Sequence, residues 1–414
     1  MNASTRFGME MKPMGGLAAG TAVGLAVAIS VTGLAGPAFS EPTTAAVTIP
    51  FEMDHNRMFI EVEFVGADGT SRKARAWVDT GSEVLVLQEP LARDLGYEVP
   101  EGKEEWVPLP KAPGVRLNGW PLDSGDVVAG VLRGPLLRPG LLSAAQLPAS
   151  LFRDYDVVFD YPARRLTVAR PGLLKPHGVP VPCRINPKTG LFLVDAILDG
   201  EAVALGVDNG SSYTWVSDSL TKSWLERDPE RPFSVGAVGA ANFFGFGFET
   251  KAVLMRLREV RLGDLVARNV GVAGIAKGLF DWYSKKSAGP VVGFIGANLL
   301  KDFRIEVDFS NRMTYWEAGP EAESFDLDIV GLTLHPDADG GYTVVGVAVK
   351  DGLPAVKGVR PGDRLLRVDD LDTAGAAMGA VVDAMRGKPD SIRTLMLERQ
   401  GKSFIVKAKT MRFA

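Results

Sequence analysis

One short phrase occurs twice in the chain. Trp77-Val78-Asp79-Thr80-Gly81-Ser82 and Gly206-Val207-Asp208-Asn209-Gly210-Ser211 each end an apolar strand on an aspartate, a small polar residue, a glycine and a serine. Apolar strand-like residues follow both, Val84-Leu85-Val86-Leu87 and Tyr213-Thr214-Trp215-Val216. A carboxylate on a Gly-turn between two apolar strands is held rigidly from both sides. Two such loops can face each other across a pseudo-two-fold axis. Carboxyls brought together in this way cannot both ionise, so they share a proton, one serving as base and the other as acid.

The surroundings repeat as well. Phe59 to Phe64 and the turn Gly66-Ala67-Asp68-Gly69 precede the first aspartate, and Leu191 to Leu198 with Asp199-Gly200 precede the second. Downstream, Phe152 to Tyr161 is echoed by Phe303 to Phe309, and Ala163-Arg164-Arg165-Leu166 by Asn311-Arg312-Met313-Thr314. Before these stand Gly140-Leu141-Leu142-Ser143 and Gly293-Phe294-Ile295-Gly296. The same order in both halves marks an internal duplication.

Asp-Thr-Gly-Ser on a strand, with a later Phe-Ile-Gly-x-x-Leu-Leu element, resembles the retropepsin-like and pepsin-like aspartic peptidases over roughly residues 46 to 318. Both halves lie in one chain, as in the pepsin-like arrangement. The resemblance implies peptide-bond hydrolysis by a water held between Asp79 and Asp208, with no metal or cofactor. It makes Thr80, Gly81, Ser82, Asn209, Gly210 and Ser211 the supporting loop residues. Ser82 and Ser211 would bond the outer carboxylate oxygens, and Gly81 and Gly210 would let backbone amides approach. Two positions depart from the pattern: Asn209 replaces the usual threonine, and Ser143 stands where the bracing glycine is expected.

Composition narrows the alternatives. The 414 residues are 46% hydrophobic and 23% charged with net charge −4, enough for a well-buried protein of two or three domains. No basic run interleaves with aromatics, so nucleic acid is not an expected partner. The 47 glycines and 27 prolines punctuate valine-rich runs, which favours an all-β fold. Cys183 is the only cysteine and reads as a small buried hydrophobe. His55, His177 and His335 are single and scattered, without a second ligand at metal spacing. No Gly-x-Ser-x-Gly elbow offers a serine nucleophile. A carboxylate-pair glycosidase is disfavoured, because its two acids need unlike environments and a wider gap than two symmetry-related loops supply.

Residues 1–40 read as a signal peptide. Arg6 and Lys12 begin it, Gly15 to Gly36 is apolar, and Ala38-Phe39-Ser40 offers a cleavage site before Glu41. The expected location is exported, periplasmic or secreted; an uncleaved leader would leave the protein anchored in the membrane. The segment from Ser234 to Phe248 holds several glycines and four phenylalanines. It reads either as a mobile cover over the cleft or as a Gly-rich hairpin packed on the core.

After Trp316 the pattern changes. The strand order, the phrase Arg360-Pro361-Gly362-Asp363 and a helical stretch around Ala376 to Met385 resemble a PDZ domain of the bacterial type. Gly331, Leu332, Thr333 and Leu334 would form its carboxylate-binding loop for a C-terminal peptide, unless the groove is closed. The reading is an all-β protein: signal peptide 1–40, pseudo-symmetric acid-protease lobes 46–172 and 176–318, and a PDZ-like domain 325–414 that folds as a separate module. The expected partner is a polypeptide substrate. The competing reading is a non-catalytic peptide-binding protein on a degraded protease fold.

Overall fold

In each half a β-hairpin carries one aspartate at its end. The computed structural model describes residues 45–102, 106–133, 142–243, 247–320 and 325–414. The leader and residues 244–246 of the glycine-rich segment lie outside the described residues. Strands Arg57–Val65 and Ser71–Asp79 pair antiparallel, Phe59 opposite Trp77 and Val65 opposite Ser71. Ile60, Val62 and Phe64 alternate into the core while Glu61 faces out, the period-2 signature of a half-buried strand. The second hairpin joins Phe192–Leu198 to Glu201–Val207 through Asp199-Gly200, with φ of 46° and 89°. Two consecutive positive φ values match the twist of a tight hairpin, and Asp-Gly accepts them most readily.

A parallel strand braces each aspartate from the other side. Ala145–Pro148 pairs with the first hairpin, Leu147 beside Val78, and Gly293–Ile295 with the second, Ile295 beside Val207. This corrects the expectation that the first brace lies at Gly140 to Ser143, of which residues 140 and 141 are outside the described residues. Pro148, not Ser143, is the counterpart of Gly296: the next residue's N–H bonds the loop serine carbonyl in both halves, Ala149 to Ser82 at 2.9 Å and Ala297 to Ser211 at 2.8 Å. Ser143 instead donates its hydroxyl to the Ala145 carbonyl at 2.7 Å.

The duplicated closing strands meet each other. Asp156–Asp160 and Phe303–Asp308 pair antiparallel, Asp156 opposite Asp308 and Asp160 opposite Arg304. Arg165–Ala169 and Met313–Ala318 flank them, so a shared sheet joins the halves about the local two-fold. Val157, Phe159, Ile305, Val307 and Trp316 bury its inner face.

Residues 325–414 form strands Leu332–Pro336, Tyr342–Val347, Arg364–Val368, Ile392–Arg399 and Lys402–Lys409 with helix Met378–Met385. They are not packed as a separate module. Strand Phe233–Val235 of the second half pairs with Val349–Lys350, so one sheet runs across the expected boundary. Tyr213, Trp215 and Phe294 share a continuous core with Leu332, Leu334, Tyr342 and Phe413. Arg256 and Asp326 form a largely buried ion pair at 2.6 Å, and the Gly379 N–H reaches Asp54 of the first half at 3.0 Å. The described residues make one compact unit. The predicted boundary marks a change of sequence pattern, whereas apolar burial across it continues.

Candidate active site

The two aspartate loops face each other. A Cβ on Gly81 would lie 2.5 Å from the Asp208 carboxyl, and one on Gly210 would lie 2.2 Å from Asp79 Oδ1. Only glycine admits that approach in either loop. The carboxyls of Asp79 and Asp208 therefore lie side by side, each perturbing the other. Gly81 N–H donates to Asp79 Oδ1 at 2.9 Å. Gly210 and Ser211 N–H donate to Asp208 Oδ1 at 2.9 and 3.1 Å. Burial holds Asp79 well above the ordinary carboxylate range, with the neighbouring Asp208 charge adding to it; burial raises Asp208 too. One proton is therefore shared over a range extending above the usual carboxylate pKa.

Thr80 and Asn209 lace the loops together. Thr80 Oγ1 donates to the Val207 carbonyl at 3.0 Å and accepts from Asn209 N–H at 3.1 Å. Thr80 N–H donates to Asn209 Oδ1 at 2.8 Å, so the amide oxygen supplies an acceptor in place of a threonine hydroxyl. The remaining Nδ2 end and the Tyr161 hydroxyl are buried without a hydrogen-bond partner among the described residues. The serines depart from expectation. Ser211 Oγ donates to the Tyr213 carbonyl at 2.7 Å and Ser82 Oγ to that of Val84 at 3.3 Å, so both hydroxyls close their own turns rather than reaching a carboxylate.

Three residues outside the motifs belong to the site. Gln146, on the bracing strand, donates its Nε2 to Asp79 Oδ2 and is buried. Arg57 is fully buried between the halves. Its Nε donates to the Gly210 carbonyl at 2.9 Å and its Nη2 to the Phe243 carbonyl at 3.2 Å. Burial lowers the guanidinium to about 10, leaving it charged at neutral pH. Its Nη1 meets His55 Nδ1 at 2.6 Å, and His55 Nε2 lies 3.0 Å from the Gly239 carbonyl. A carbonyl only accepts, so the proton sits on Nε2 and Nδ1 accepts from Arg57. Burial, then the Arg57 charge, keeps His55 well below its usual pKa and neutral. The available signal was His55-Asn56, a two-residue turn with φ of 48° and 62° that aims the next side chain across the interface.

A cavity of about 300 Å³ opens on the pair. Trp77, Val84 and Gln146 line it from the first half, and Trp215, Phe243, Tyr283 and Phe294 from the second. Lys286 bridges to Glu83 at its margin. Phe243 and Phe248 both stand edge-on to Trp215, with ring centroids 6.4 Å away. The glycine-rich segment is thus no free hairpin: Ala237, Val238, Ala240 and Ala241 are completely buried.

The expected peptide-binding loop is occupied from within. Thr333 Oγ1 donates to the Ala237 carbonyl at 2.6 Å. Asn242 Nδ2 donates to the Leu334 carbonyl at 2.9 Å, and Leu334 N–H donates to Asn242 Oδ1. Leu332, Thr333 and Leu334 are buried, and a Cβ on Gly331 would strike Ala355 and Phe413. Small side chains let residues 237–242 lie against this edge, the alternative in which the groove is closed.

No family model matches the chain, and no curated protein matches its sequence. Among solved structures, the aspartic proteinase from Irpex lacteus aligns at TM-score 0.43 and 12% identity, over 68% of this chain and 100% of that one. A photosystem II D1 C-terminal processing protease aligns at TM-score 0.18 and 22% identity, over 21% of this chain and 23% of that one.

Proposed function

We propose that the chain is an exported aspartic-type endopeptidase whose catalytic groups are Asp79 and Asp208. The observation that supports this reading is the pair itself: two adjoining carboxyls on duplicated loops, each against the other loop's glycine, at an aromatic cavity. The ionised carboxyl takes a proton from water as its oxygen attacks the scissile carbonyl carbon. The protonated partner gives its proton to the carbonyl oxygen, forming a neutral tetrahedral diol. Collapse breaks the C–N bond as a proton passes to the leaving nitrogen, and one carboxyl of the pair is again protonated. The apolar walls exclude bulk water and strengthen the electrostatics of the pair.

The substrate class is an extended, unfolded polypeptide with apolar side chains for the aromatic wall. The C-terminal domain supports residues 237–242, which lead directly into Phe243 of the cavity. Residues 1–40 direct export, so the mature chain begins near Glu41; mass measurement of its N-terminus checks this. Incubation with an unfolded polypeptide, with and without a transition-state-analogue inhibitor of aspartic peptidases, tests the activity. Inhibitor-sensitive cleavage supports the proposal. Capture of the polypeptide without cleavage would establish the peptide-binding reading instead.

A further inference from the structure

Gln146 breaks the local two-fold at the carboxyl pair. Register places it opposite Val86 on the strand Leu85–Leu87, as Phe294 lies opposite Trp215 in the other half. Packing alone does not require an amide here, since the equivalent position is filled by an aromatic ring. Gln146 is buried, and its Oε1 has no hydrogen-bond partner. A buried amide with one end unsatisfied is unfavourable unless its other end makes a strong bond. That bond goes to Asp79 Oδ2.

Donor placement then differs between the two carboxyls. Asp79 receives Gly81 N–H on one oxygen and the Gln146 amide on the other. Asp208 receives Gly210 and Ser211 N–H, both on Oδ1. Donors on both oxygens suit a carboxylate, which only accepts; donors gathered on one oxygen leave the other for a proton. Burial and the neighbouring Asp208 charge favour a proton on Asp79, and the Gln146 amide opposes both. We infer that Gln146 is a positioning residue that lowers the proton affinity of Asp79 and so eases ionisation of the pair. The other charged or titratable groups facing the pair are Arg57, the Tyr161 and Tyr283 phenols and the Glu83–Lys286 bridge, and replacing Gln146 alters none of them.

Q146M keeps the length of the side chain and removes the donor; Q146L is the second variant should Met pack poorly. The kinetic arm rests on the peptidase reading above. In it, the acid limb of kcat/KM against pH should move up by about one pH unit, a tenfold change in proton affinity. A profile that overlays the wild type, or in which only the alkaline limb moves, overturns the inference. Thermal melting from pH 3 to pH 7 reads the same contact without activity. Loss of the donor raises the folded-state pKa of Asp79, so the Tm deficit of Q146M should widen as pH rises through the ionisation of the pair. A deficit constant with pH means a packing role alone. A wild type that cleaves nothing would sink the peptidase reading and leave this melting comparison decisive for Gln146.

Discussion

Replacing Asn242 with alanine removes the side chain that joins the segment beside the cavity to the C-terminal domain. Asn242 is buried and serves both backbone groups of Leu334, donating to its carbonyl at 2.9 Å and accepting from its N–H. Alanine leaves both groups buried without those partners, at about 1–3 kcal/mol each, so a total near 3 kcal/mol is expected. Unfolding entropy of about 2.1 cal/mol/K per residue, over the compact unit of residues 42–414, gives about 0.8 kcal/mol/K. The expected fall in Tm is therefore about 4 °C, in a single transition by calorimetry. Thr333→Val removes one donor, to the Ala237 carbonyl, and should fall by less. A Tm for Asn242→Ala within one degree of wild type would refute the accounting. Two resolved transitions, with only the later residues' transition shifted, would refute the shared core.

A chain ending at residue 320 should fail to fold, because Leu327, Ile329, Leu332 and Leu334 belong to the same core as Ala237, Val238, Ala240 and Ala241; near-ultraviolet circular dichroism and gel filtration check this, and a native-like monomer would contradict it. Asp208→Asn should raise Tm at pH 7 and little at pH 3. Burial raises both folded-state carboxyl pKa values, so the folded state binds more protons than the unfolded one between the two pKa values, and wild-type stability falls as pH rises through that window. Melting curves across that range give the sign directly.

Strand periodicity and turn chemistry made the hairpins and both aspartate loops legible in the sequence. Asp199-Gly200 and the duplicated Asp-x-Gly-Ser needed only local rules. The brace did not: Leu141-Leu142-Ser143 and Gln146-Leu147-Pro148 offer similar short segments, and only parallel pairing with Val78 distinguishes them. Arg57 escaped because its partner at Gly210 lies 153 residues away and no local pattern encodes that contact. The segment around Gly239 fits either a mobile cover or a packed hairpin on sequence alone, and its small side chains serve close packing against Thr333 and Leu334. The C-terminal strands were recognisable in order, but the sequence did not show what fills their groove.

The most direct test of the central claim is turnover of one defined peptide by Asp79→Asn, Asp208→Asn and the double variant, each shown to be folded by its melting curve. Each single change should lower kcat/KM by roughly a thousandfold or more, and the double change should add less than about tenfold, because the two carboxyls act as one unit. Turnover that survives Asp208→Asn while Asp79→Asn abolishes it would contradict the account, placing the second loop outside the chemistry.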